Sequence, residues 1–125
     1  MASSLKPEIV VLLASAAVAK GKAMKIGTDD NHVVVGAANT DKVLGIVQNA
    51  PTAAEELAEL AVAGGAKALL GESVVAGNFL VSHTDGTLVK ANASGDILIA
   101  QAMEGGSSGD LIDVVVIHGH AAAAE

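Results

Sequence analysis

Asp110–Gly119 reads DLIDVVVIHG, and Glu56–Gly65 reads ELAELAVAGG. Set one beneath the other, the two segments agree in kind. Glu56 meets Asp110 and Glu59 meets Asp113, so acid falls on acid at the first and fourth places. Leu57 meets Leu111, Val62 meets Val116 and Gly65 meets Gly119. The later copy is rich in β-branched residues and is plainly a strand, predicted over Leu111–His118. The earlier copy is ambiguous alone. Thr52–Leu60 (TAAEELAEL) has helix-forming composition, and Thr52 with Glu55 has the spacing of a capping box. The comparison decides against most of that helix: Leu57–Ala63 is predicted as strand, with any helix confined to Thr52–Glu55.

The correspondence extends outward from this pair. Val18–Gly21 (VAKG) matches Val74–Gly77 (VVAG), and Val43–Val47 matches Leu98–Ala102. Each half therefore reads as a glycine turn, a hairpin, a small-residue strand, a loop and a strand with an acidic start. Turn residues recur at short spacing throughout, with Val-, Ile- and Leu-rich runs between them. Further strands are expected at Ile9–Leu13, Ala23–Ile26, His32–Gly36, Val43–Gln48, Ala68–Leu70, Asn78–His83, Leu88–Ala91 and Ile97–Met103. Gly64-Gly65 reads as a turn, and Asp85-Gly86 as the clearest hairpin turn. The expected fold is all-β: a small β-barrel or β-tulip domain with internal pseudo-duplication and a flexible N-terminal arm. Its expected parts are an arm and leading strand at 1–16, a barrel at 17–118 and a flexible tail at 119–125.

Composition narrows the function. Hydrophobic residues make up 51% of the 125-residue chain, enough for a core, yet aromatics are 1%, a single Phe79. Pockets for flat ligands usually offer aromatic faces to stack on, and this chain has almost none. The net charge is −7, all seven basic residues are Lys, and Arg is absent. Direct nucleic-acid binding needs clustered cations and is not expected. With no Cys there is no disulfide, thiolate nucleophile or Cys-ligated metal. Ile9–Ala19 (IVVLLASAAVA) is about half the ~20 residues that span a bilayer. It has the length of a signal-peptide core, and Ala14-Ser15-Ala16 could serve as a cleavage site, but no cationic cluster precedes it. It reads as a buried strand, and no membrane partner is expected.

No catalytic constellation emerges. His118 and His120 would share a strand face, but no third ligand lies near, so no metal is predicted. His32 and His83 sit beside turns and are expected to face solvent. Gly27-Thr28-Asp29-Asp30-Asn31 clusters oxygen atoms but lacks the spacing and distal Glu of a calcium loop; it reads as a turn. Glu56 and Asp110 are repeat-equivalent strand starts and are expected to be solvated. Gly105–Gly109 lacks the Lys-Ser/Thr ending of a phosphate loop. No enzyme activity and no cofactor are expected.

The order of elements resembles the small capsid decoration (cement) proteins of tailed bacteriophages. Ala19–Ile26, Asp41–Val47, Gly71 to Gly77–Val81, Asp85–Val89, Ala100–Met103 and Gly109–Val116 carry the resemblance, which spans roughly residues 17–118. The chain departs from the family at Pro51–Glu59, where a glycine-containing turn is usual. The resemblance implies a homotrimer on the outer surface of the mature head, cementing major capsid protein subunits. Under it, Leu5, Lys6, Pro7, Ile9 and Val11 are the expected capsid contacts, and deleting residues 1–8 should abolish head binding but keep the trimer. The alternatives are a secreted or shell-type β-rich assembly or adhesion module, and a small hydrolase or metal-dependent enzyme using His118, His120 and the acidic loop.

Overall fold

Branched side chains pack well on a pleated surface, and Gly, Asp and Asn end each run by supplying tight turns. The computed structural model describes residues 7–27, 29–91 and 96–120. Its strands are β1 (Glu8–Ala14), β2 (Ala23–Ile26), β3 (His32–Val35), β4 (Val43–Val47), β5 (Leu57–Leu69), β6 (Phe79–Ser82), β7 (Leu88–Lys90), β8 (Ile97–Ala102) and β9 (Leu111–His120). The described residues contain no helix, and so none long and apolar enough to cross a membrane. The all-β expectation holds.

The strands run in the order β1-β3-β2-β4-β5-β9-β8-β6-β7, and β1 also pairs with β5. That extra pairing closes β1-β3-β2-β4-β5 into a five-stranded barrel. β1 lies antiparallel to β5 from Glu8↔Ala63 to Leu13↔Leu57, and parallel to β3 at Leu13↔His32 and Ala14↔Val33. The leading strand, grouped with the arm in the sequence reading, is thus a barrel stave. β5 is long enough to serve twice. Its first half faces β1 and β4; Gly64 to Leu69 then pair with β9. The expected Gly64-Gly65 turn is therefore wrong. Both glycines pair with β9, and Gly64 (φ 81°) takes the left-handed conformation where the strand passes from one half to the other. β5-β9-β8-β6-β7 is the second ring, linked back by the Leu70↔Leu88 bridge.

The duplication is visible bond by bond. Ala14 N donates to Glu56 O (2.8 Å), and Leu70 N donates to Asp110 O (2.9 Å). Gly21 N donates to Val47 O (2.8 Å), and Gly77 N to Ala102 O (2.8 Å). Glu55 N donates to Ala14 O (2.8 Å), and Gly109 N to Leu70 O (2.8 Å). The second half of β5 therefore stands in the second ring where β1 stands in the first. Left-handed residues match as well: Gly21 (φ 91°) with Gly77 (φ 94°), and Glu55 (φ 72°) with Gly109 (φ 90°).

Two further expectations need correction. No helix forms at Thr52–Glu55; the segment is a turn, and the Thr52 amide and hydroxyl donate to Glu56 rather than Glu55 (2.8 and 3.0 Å). β9 does not end at His118: Gly119 pairs with Leu98, and His120 with Ile97. Residues 121–125 of the predicted tail lie outside the described residues.

The cores follow from strand alternation. Met24, Val47 and Leu60 point into the first ring, with Ala14, Val33 and Ala58. Their repeat equivalents Leu80, Ala102 and Val114 point into the second. Ala23, Ile46 and Ala61 alternate with the first set and so face out of the first ring. They are fully buried all the same, because they join the second half's core.

Candidate assembly surface

The chemistry-bearing residues are mostly occupied in holding turns. The His32 ring lies between two acceptors, with Nδ1 2.9 Å from Asp30 O and Nε2 3.0 Å from both Glu55 carboxylate oxygens. Both ring nitrogens are best satisfied as donors, which is the imidazolium form. The Asp30 carbonyl first, then the Glu55 carboxylate, raise the His32 pKa above its ordinary value. The expectation that His32 faces solvent is corrected: its side chain is only 15% exposed, covered by the turn it fastens. His83 is exposed, as expected. His118 Nε2 lies 3.0 Å from the Val62 carbonyl. His120 lies on β9, and its side chain is outside the described residues.

Asp29–Asn31 form a turn, with Asn31 at φ 60° and His32 N donating to Asp29 O. Thr28 lies outside the described residues. Among the described residues no three His, Asp or Glu side chains gather as a metal site. Glu56 and Asp110 are both exposed and play matching parts: Glu56 accepts the Thr52 amide (2.8 Å), and Asp110 accepts the Ser107 amide (2.9 Å). Asp41 accepts the Ala37 and Ala38 amides and the Lys25 ammonium (2.7, 3.1 and 3.1 Å). The Ala37 amide, with Lys25 assisting, lowers the Asp41 pKa. Lys67 pairs with Asp113 at 2.8 Å. Asp85 closes its hairpin by accepting from Thr87, and that bond lowers its pKa. Each of these carboxylates has a structural task at a turn or strand.

Clefts open on the surface of the described residues. One, about 540 Å³, is lined by small and aliphatic groups including Ala17, Val18, Val35 and Pro51. The other, about 530 Å³, is lined by the Ala37–Asn39 loop and by Glu72, Ser82 and Lys90. Neither is lined by Phe, Tyr or Trp, and His83 and Thr84 also line the second.

The distinctive feature is exposed apolar side chains on regular strands. Ile9 (42% exposed) and Val11 (48%) share one face of β1, and Pro7 is exposed just ahead of them. Leu5 and Lys6, the other predicted contacts, lie outside the described residues. Sequence reasoning missed Val10 beside them, Ile26 (50% exposed) at the end of β2, and Phe79 (45%) with Val75 and Met103 in the second half. The signal for Phe79 was present: it is the one aromatic residue, and its repeat partner is Ala23.

No family model and no curated protein sequence matches this chain. Among solved structures the chain is similar to the head fiber gp8.5 N base of bacteriophage phi29. The TM-score is 0.72 at 15% identity, over 90% of this chain and 95% of that one. The likeness is one of fold: the all-β architecture is shared over nearly the whole length of both.

Proposed function

We propose that this chain is a non-catalytic structural protein of a phage head. In this reading it binds the outer surface of the mature capsid as a homotrimer and cements major capsid subunits. The observation that carries it is the fold shared with a phage head fiber base over 90% of the chain. Two others support it. The carboxylates described above, with His32 and His118, are engaged in turns and strands, and no three His, Asp or Glu side chains gather as a metal site among the described residues. Most of the exposed apolar residues, among them Ile9, Val11, Ile26 and Phe79, lie on strands, as suits flat contact with other proteins. Many copies on one lattice would then hold by avidity.

The test is add-back to heads purified from phage lacking the gene. Cryo-imaging should show density on the outer shell only when the protein is added, and decorated heads should retain DNA to higher temperature. Removing residues 1–7 leaves β1 intact and should abolish decoration. Undecorated heads with the intact protein would refute head binding; unchanged decoration by the truncated protein would refute the arm's part in it. The same likeness favours a second reading, a base that seats a longer appendage on the head. Density rising above the barrel pair on native virions would select it.

A further inference from the structure

The Glu59 backbone points from β5 away from β1. Its carbonyl accepts the Gln48 amide (2.7 Å), and its amide donates to the Asn49 side chain (2.9 Å). Val11 sits opposite Glu59, so its own N–H and carbonyl point away from β5, toward the other edge of β1. Strand alternation turns Ile9 the same way, and Leu13 follows it by donating outward to Asn31 O (3.0 Å). Of β1, only Leu13 and Ala14 pair with β3. Among the described residues no hydrogen bond is made to that edge at Ile9 or Val11.

The repeat shows what such an edge takes when it is covered. Lys67 pairs with Asp113 as Val11 pairs with Glu59. The Gln48 carboxamide lies against the Lys67 backbone, donating to its carbonyl and accepting its amide (both 3.0 Å). An amide group thus completes the ladder in the second ring. β1 offers the same donor and acceptor at Ile9 and again at Val11. Its side chains are apolar on both faces, with Ile9 (42% exposed) and Val11 (48%) on one and Val10 (38%) on the other. Glu8 is its only charged residue. An exposed apolar edge without Lys or a bulge at its centre is a template for a further strand.

We propose that β1 of one copy pairs antiparallel with β1 of a second copy, about a two-fold axis at Val10. The edge is its own complement in that register. Centred on Val10, Ile9 of each strand meets Val11 of the other, and every outward N–H and carbonyl of these residues is used. Centred on Ile9, Val11 would meet Pro7, which has no N–H. Centred on Val11, Ile9 would meet Leu13, whose amide is already given to Asn31. The Val10 register also sets each Glu8 opposite a Leu12, so the two carboxylates stay apart. It gathers Ile9 and Val11 of both copies on one face. The same patch meets itself, as two-fold contacts require. The inference goes beyond the proposed function and does not rest on it: a two-fold contact is separate from a three-fold one and would link copies of neighbouring trimers. It places Ile9 and Val11 between copies, where the sequence resemblance placed them against the capsid.

The experiment uses the full chain. Val11→Pro deletes an outward amide and leaves the Val10 and Leu12 amides, which face β5, in place. Light-scattering mass of the wild type should double as concentration rises, and Val11→Pro should lack that step. Amide exchange reads the same edge in the wild type without a substitution: Ile9 and Val11 should gain protection with concentration, while Val10 and Leu12 are protected throughout. Cysteine pairing is a third readout, since the chain has no native Cys. Val10→Cys meets its own copy across the axis and should form a disulfide-linked dimer under mild oxidation. Val75→Cys, at a residue 65% exposed in the second half, should not. A folded Val11→Pro protein that keeps the wild-type step would overturn the proposal, as would Val10→Cys linking no better than Val75→Cys. Ile9 and Val11 amides that exchange freely at every concentration would overturn it too. Protection that survives full dilution would assign the edge to the chain's own residues, and protection that appears only on heads would assign it to a head protein; either result sinks the pairing of copies.

Discussion

Ala23 and Phe79 occupy the same place in the two rings, yet the first is fully buried and the second 45% exposed. Ile46 and Gln101 differ in the same way, one inside a core and one at the surface. The two halves share strand order, turn conformations and hydrogen bonds, so ring geometry does not cause the difference. Position in the stack does. The outer face of a ring becomes core only where another ring lies on it. Here the second ring covers that face of the first, and among the described residues the equivalent face of the second ring is partly exposed.

The largest test of that comparison is the shared wall. Ile46→Ala removes a fully buried side chain between the rings and should cost about 3 kcal/mol. Denaturant unfolding should still show one transition, because β5 belongs to both rings. Gln101→Ala, at the equivalent place, should cost less than about 0.5 kcal/mol in the single chain. Equal losses would break the comparison, and two separate transitions would show that the rings fold independently.

Next comes the pair of left-handed turns before β5 and β9. Gly109→Ala puts a Cβ at φ 90° and should cost about 1–2 kcal/mol, measured by thermal unfolding. Glu55 already carries a side chain in that conformation at φ 72°. Glu55→Gly should therefore stabilise the protein above neutral pH, where the bond to His32 contributes least.

A smaller effect follows from the same pair. The His32 pKa is raised in the folded state, first by the Asp30 carbonyl and then by Glu55. The stabilisation it gives is present below the ordinary histidine value and is lost as pH rises through the folded one. Glu55→Gln should lower the melting temperature at mildly acid pH, with the deficit shrinking toward alkaline pH. A deficit that grows with pH would contradict the assignment. The smallest expected effect is at Asp41. Its depressed pKa gives stability above the ordinary aspartate value that is lost as pH falls through the folded one. Asp41→Asn should lower the melting temperature slightly at neutral pH and not at strongly acid pH.

Much of this was legible in the sequence. Aligning ELAELAVAGG with DLIDVVVIHG turned an Ala- and Glu-rich segment from helix to strand, and β5 runs through it. Ala23–Ile26 coincides with β2, the expected separate strand at Ala68–Leu70 is the end of β5, and the other strands differ at their ends. The failures have a shared cause. Gly64-Gly65 looks like a turn because glycine usually ends strands; here it lets one strand serve two rings. His32 looked free because its partner Glu55 is distant in sequence and meets it only across the barrel seam. The exposed faces were half visible: Ile9 and Val11 were singled out, whereas Phe79 passed as an ordinary strand residue. Only the burial of its repeat partner Ala23 gives its exposure meaning.

Add-back to heads purified from phage lacking the gene tests the central claim most directly. Density on the outer shell only when the protein is added is the predicted result. Heads that stay undecorated in the presence of the intact protein would contradict the account.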